Sequence, residues 1–148
     1  MTLELVDLRP AESDQRCWRP PFDDEVVYEH PHWWNRQLGR DPWFVQVLEH
    51  GIEVARVEFD DPGGINPEYE GVPELGGERL EIQFIEVAST DRGRKVATQV
   101  VRLLEEQYRG RRLFAYSEDA DRFWASLSWK PFVHPDGRHR TLFIQPLR

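Results

Sequence analysis

Residues 80–98 read LEIQFIEVASTDRGRKVAT, and this stretch decides the fold. Its first half, Leu80 to Val87, is an apolar-rich run of strand length. Its second half is short, charged and glycine-bearing, and opens onto TQVVRLLEEQY, Thr98 to Tyr108. There Ala97, Val100, Val101, Leu104 and Tyr108 recur at helical spacing, with Arg102, Glu105, Glu106 and Arg109 on the opposite face and Gly110 as a stop. The reading is strand, loop, helix. Arg92, Arg94 and Lys95 crowd the helix start, where positive charge is unfavourable against the helix dipole unless an anion is held there.

Working outward, RRLFAYS supplies a second strand, and Ser117 is the expected N-cap of a helix over EDADRFWASLS. A strand-helix-strand unit of this kind makes a right-handed parallel crossover. On the far side, KPFVHPDGRHRTLFIQP reads as a hairpin turned at Pro135-Asp136-Gly137. On the near side, PWFVQVLE and IEVARVEFD flank His50-Gly51, a second hairpin. Residues Asp61 to Gly77 hold five glycines and three prolines and form a long loop. The first ten residues alternate as a strand ended by Pro10. Helical stretches are expected over AESDQRCW and over DDEVVYEHPHWWNRQLG, the latter interrupted at Pro31 and closed by Gly39. The fold class is α/β (α+β mixed), with one domain over residues 1–148.

Composition narrows the function. A formal net charge of −8 argues against nucleic-acid and anionic-membrane partners and leaves room for a cationic one, such as an amine. Cys17 is the only cysteine, which excludes an internal disulfide and a multi-cysteine metal site and fits a reducing, cytoplasmic setting. There is no 18-residue apolar run and the start does not read as a signal peptide, so neither a transmembrane helix nor secretion is expected. The pair His30-x-His32 offers too few ligands for a metal, and no metal is expected.

From Ile85 to Trp129 the chain resembles the GNAT superfamily of acyl-CoA-dependent N-acyltransferases. The first element is V87-ASTD-R92-G93-R94-K95-V96-A97-T98, matching a strand-ending Val and Arg/Gln-x-x-Gly-x-Gly/Ala, with Lys95 where the middle Gly is usual. The second is S117-ED-A120-DR-F123-W124-ASL-S128-W129, with Ser for Asn, Trp for Tyr, Ser for Gly and Trp for Phe. The resemblance implies a mixed, mostly antiparallel sheet with one parallel, splayed strand pair and helices on both faces. It implies acetyl-CoA as cosubstrate, held by Ile85, Val87, Arg92, Gly93, Arg94, Lys95, Val96, Ala97, Thr98, Ser117, Phe123 and Trp124. It also implies that the backbone of Val87 meets the acyl carbonyl. The usual tyrosine acid is replaced by Trp124, which cannot protonate a thiolate; Tyr116 is a weak substitute.

Acyl transfer to an amine needs a base, and two carboxylates are candidates. By strand parity Glu86 shares a face with Ile82 and Phe84, so it is either turned out by a bulge or held there for a reason. Glu81, on the other face, is the second candidate. Trp33, Trp34 and the Asp61–Gly77 loop, with Glu68, Glu70 and Glu74, are the expected acceptor site. The acceptor is a small-molecule or protein amine, and a homodimer is left open. A catalytically silent acyl-CoA-binding or interaction module of the same fold is the alternative, and a plain interaction domain without a ligand the third reading.

Overall fold

The computed structural model describes residues 1–11 and 17–147. Most of the stretch AESDQRCW therefore lies outside the described residues. The strands are β1 (Leu3–Leu8), β2 (Trp43–Glu49), β3 (Ile52–Asp60), β4 (Arg79–Val87), β5 (Arg112–Tyr116), β6 (Lys130–Phe132) and β7 (Leu142–Ile144). The helices are α1 (Pro31–Trp34), α2 (Val96–Gln107) and α3 (Asp121–Ser126). The strands form one mixed sheet of order β1-β2-β3-β4-β5-β7-β6. Its one parallel pair is β4–β5, and β1–β2, β2–β3, β5–β7 and β6–β7 are antiparallel. The chain divides into two compact units: 1–59 with 84–104, and 60–83 with 105–148.

In the first unit, β1 and β2 pair antiparallel from Leu3↔Glu49 to Leu8↔Phe44, and β2 pairs with β3 across the His50-Gly51 turn. Both turn residues have positive φ (52° and 77°), the geometry of a two-residue hairpin whose twist suits the strands. Seven consecutive residues of β3 are buried, including Glu53, Arg56 and Glu58. Glu53 is satisfied by four donors: the N–H of Asp23 (3.0 Å), Tyr28 Oη (2.9 Å), Gln46 Nε2 (2.8 Å) and Arg56 Nε (2.8 Å).

That network corrects the expected helix over residues 23–39, of which only the four residues of α1 are helical. The backbone groups a helix would use are engaged elsewhere. The Asp23 N–H donates to Glu53 and its carbonyl accepts from Arg56 Nη2 (2.9 Å). The Asp23 carboxylate accepts from the N–H of Glu25, and the N–H of His30 goes to Glu86. Pro31 has no N–H to give. The segment packs aromatic rings against β2 instead: Phe22 lies edge-on to both Trp34 and Phe44.

In the second unit, the β4–β5 ladder runs from Arg79↔Arg112 to Glu81↔Phe114, whereas β4 continues to Val87. β5 pairs with β7 and β7 with β6, closing the expected terminal hairpin. Gly137 has φ 69° and its N–H bonds to the carbonyl of His134 (3.0 Å). Tyr69, Phe114, Phe132, Leu142 and Ile144 make a buried cluster beneath Ile65, Val72 and Leu75 of the long loop. Gly63 is required in that loop. Its φ is +81°, and a Cβ there would stand 2.6 Å from Cβ of Glu81 and 3.0 Å from Cζ of Phe114.

The helix expected from Glu118 to Ser128 is shorter, Asp121–Ser126, and starts after Ala120. Asp119 has φ 53°, which interrupts helical geometry. The Ser117 Oγ accepts from the N–H of Ala120 (2.9 Å), so it caps the turn that enters the helix.

Candidate active site

Glu86 is 9% exposed and keeps the strand parity of Ile82, on the buried side of β4. Three donors hold it: Trp34 Nε1 on Oε1 (2.8 Å), and the N–H of His30 (2.9 Å) and His30 Nδ1 (3.1 Å) on Oε2. All belong to the first unit, where α1 and the residue before it deliver them. Of the two options open to a carboxylate on an apolar face, this is the held one. His30 stacks flat on Trp33 (4.1 Å, 8°), and Trp33 in turn on Phe84 (5.1 Å, 22°). The His30 side chain remains 40% exposed, and its Nε2 has no hydrogen-bond partner among the described residues. With Nδ1–H donated to Glu86, Nε2 carries the lone pair.

The sequence points to Glu86, Trp33 and Trp34 without joining them, and offers His30 only as an insufficient metal ligand. The only available signal was the parity of Glu86, which asks for a donor without saying which. A cleft of about 1190 Å³ in the same unit is lined by Trp18, Phe22, Trp34, Arg36, Arg40 and Arg56.

The strand-helix junction follows β4. A single 3₁₀ turn, Ser89–Asp91, leads into Arg92, Gly93, Arg94 and Lys95, and Val96 begins α2. Gly93 has φ 84° and Lys95 φ 61°. Lys95 therefore keeps the left-handed backbone that its motif position normally gives to glycine. The first turn of α2 contains no acidic residue. Arg92 pairs with Glu29 in the open, and Arg94 with Glu49 and Asp91 at 2.8 Å each. The bond to Arg94 holds the Glu49 carboxyl below its usual range, against a smaller opposing effect of burial. No carboxylate pairs with Lys95 among the described residues. Val96 is buried, and Ala97 and Thr98 are half-buried, as are Ile85 and Val87.

Glu81, Ser117, Phe123, Trp124 and the Asp61–Gly77 loop belong to the second unit. Glu81 lies against Gly63. The Tyr116 hydroxyl accepts from the N–H of Asn66 (2.9 Å) and donates to the carbonyl of Gly64 (3.2 Å), so it fastens the loop. Burial, partly offset by the Asn66 bond, raises its pKa. Trp124 is 3% exposed, tilted against Trp129 (4.8 Å), with Phe123 at its edge (4.9 Å). Trp129 Nε1 donates to Glu105 (3.0 Å). Ser128, also at a glycine position of the motif, has φ 64°.

The β4–α2 junction thus brings a helix start without acidic side chains next to Arg92, Arg94 and Lys95. The chain belongs to the acetyltransferase (GNAT) family, whose model matches residues 9–128. It is similar in structure to an acetyltransferase from Thermus thermophilus (16% identity, 74% of this chain and 67% of that one, TM-score 0.55). It is also similar to Escherichia coli ElaA (15%, 98% and 100%, TM-score 0.53). A third likeness is to a mutant of the toxin AtaT bound to the C-terminus of the antitoxin AtaR and acetyl-CoA (11%, 95% and 92%, TM-score 0.55). At these identities the likeness carries the fold. No curated protein matches the chain. None of the helices among the described residues is long and apolar enough to cross a membrane.

Proposed function

We propose that the protein is an N-acetyltransferase that moves the acetyl group of acetyl-CoA to a primary amine of a small molecule or protein. The observation that carries the proposal is the junction from Arg92 to Thr98. Free backbone N–H groups of the first turn of α2, with no acidic side chain among them, suit the pyrophosphate. Lys95 adds an ammonium that no carboxylate among the described residues engages, and the exposed Arg92–Glu29 pair is weak enough to be exchanged for a phosphate contact. Bound acetyl-CoA supplies an activated acyl carbonyl. Ile85 and Val87 are the proposed backbone contacts for its arm, and Ser117, Phe123 and Trp124 are retained as further candidates.

The base is proposed to be Glu86 acting through His30. Glu86 fixes the ring and its tautomer, and Nε2 takes the proton as the amine attacks. The carboxylate behind the imidazole balances the charge that the ring acquires. Trp33, stacked on His30, and Trp34, bonded to Glu86, form the proposed acceptor wall. Glu81 is the second candidate base. Because Trp124 carries no transferable proton and Tyr116 Oη is engaged with the loop, thiolate leaves without a side-chain acid. The same substitution favours the second reading, a silent acyl-CoA-binding module.

Thiol release from acetyl-CoA in the presence of an amine panel tests the proposal. Once an acceptor is found, Glu86→Gln and His30→Gln should each lower turnover by about 10²-fold or more with acetyl-CoA affinity unchanged. The two should be non-additive, as residues acting as a unit are. Binding without turnover across the panel favours the silent module.

A further inference from the structure

The loop joining β6 to β7 brings together three metal-ligating side chains of the second unit. One ligand atom each of His134, Asp136 and His139 lies within 4.8 Å of the other two. The carboxylate oxygen stands 3.0 Å from each imidazole nitrogen. The spacing is His-x-Asp-x-x-His, which an inventory of histidine pairs along the chain passes over.

The hydrogen bonds fix the tautomer of His134. Its ring is 7% exposed, and Nε2 lies 2.7 Å from Glu68 Oε2. Its Nδ1 accepts from the N–H of Asp136 (3.2 Å). Nε2 therefore carries the proton, and Nδ1 presents a lone pair. Asp136 Oδ1, which also accepts from the N–H of Arg138 (2.9 Å), stands 3.0 Å from that nitrogen, close enough for both atoms to reach one cation. A carboxylate behind an imidazole that points its other nitrogen forward is the arrangement that orients and strengthens a metal-binding histidine.

We propose that His134, Asp136 and His139 bind a first-row transition-metal dication of the zinc type, with Glu68 as the orienting carboxylate behind His134. Zinc–nitrogen bonds of about 2.0–2.1 Å put neighbouring ligand atoms of a tetrahedron roughly 3.4 Å apart, near the 3.0 Å that separates Asp136 Oδ1 from each imidazole nitrogen. His139 is 48% exposed and stacked on His134 (3.9 Å, 17°), so its ring can turn to bring Nδ1 into line. Glu68 lies on the long loop, and two bonds already tie that loop to the region after β6: Glu70 N–H to Val133 O (3.2 Å) and Tyr69 Oη to Arg140 O (2.6 Å). The metal would be a third tie between them, structural rather than catalytic.

The test is titration of the full chain, stripped of metal, with Co²⁺ by visible absorption and with Zn²⁺ by calorimetry and thermal unfolding. The proposal expects one ion per chain, ligand-field bands for Co²⁺ that Zn²⁺ displaces, and a Zn²⁺-dependent rise in melting temperature. His134→Gln with His139→Gln should abolish all three. Glu68→Gln should weaken binding about 10–100-fold. His30→Gln with His32→Gln should change none of them. The proposal is overturned if no ion binds, if binding survives the His134/His139 double variant, or if it disappears with His30 and His32.

Discussion

Strands β4 and β5 each lead through a short loop into a helix, and the two junctions are built oppositely. After β4 come Arg92, Arg94 and Lys95, and α2 begins with no acid in its first turn. After β5 come Glu118 and Asp119, Asp121 opens α3, and Ser117 caps the approach. The second junction meets the positive end of its helix dipole from within the chain. The first leaves it to something else. The helix lengths agree with this division: α2 has 12 residues and projects a substantial dipole, whereas α3 has six and ends on the buried Trp124–Trp129 contact. The first junction is the proposed pyrophosphate site; the second is built for packing, and Ser117, Phe123 and Trp124 are secondary candidates for cofactor contact.

The largest effect separating them should be on stability. Trp124→Ala removes a buried indole and should cost about 3–5 kcal/mol in chemical denaturation, with Trp124→Phe much milder. If Trp124→Phe, still folded, loses acetyl-CoA affinity tenfold or more, the second junction is a ligand site as well and the contrast fails.

The two non-glycine residues at glycine positions sharpen the contrast. Lys95 (φ 61°) and Ser128 (φ 64°) both hold a left-handed backbone that costs an L-residue energy. Lys95→Gly and Ser128→Gly should each raise stability, by about 1 kcal/mol or less, since glycine relieves the strain but loosens the unfolded chain. Only Lys95→Gly should weaken acetyl-CoA binding, because only there does the side chain carry a charge toward the proposed phosphate. Equal losses, or none, remove the reason for Lys95 to be tolerated.

The smallest effect is on pH dependence. Arg94 holds the Glu49 carboxyl down, so the folded state prefers it ionised. Its contribution is present above the ordinary glutamate value, about 4.3, and is lost as pH falls through the lowered folded value. Denaturation midpoints measured from pH 6 down to pH 3 should fall less steeply in Glu49→Gln. Tyr28 works at the other end: burial above all, then Glu53, pushes its pKa far up. The fold keeps it protonated, so that contribution is present below about pH 10 and is lost as pH rises above it. Tyr28→Phe should flatten the alkaline limb.

The periodic elements were legible because each carries its own signal. β2 and β3 alternate around a turn that needs positive φ, and α2 repeats its apolar face at helical spacing. Residues 23–39 were not, because their backbone bonds go to Glu53 and Glu86, carboxylates distant in sequence, and no local pattern announces such partners. The same holds for His30. Glu86 looked anomalous on its strand, but the ring that meets it lies 56 residues away. The His134–Asp136–His139 set was missed for another reason: its spacing is short, but the Glu68 contact that fixes the tautomer is not local.

The central claim is that the β4–α2 junction holds acetyl-CoA, and isothermal titration of the full chain with acetyl-CoA tests it most directly. The account predicts binding by the wild type. For Arg92→Glu with Lys95→Glu it predicts a loss of about 100-fold or more, roughly 3 kcal/mol for two charge-assisted contacts. Glu118→Lys at the other junction should leave affinity unaltered. A wild type that does not bind, or a folded Arg92→Glu/Lys95→Glu variant with unchanged affinity, would contradict it.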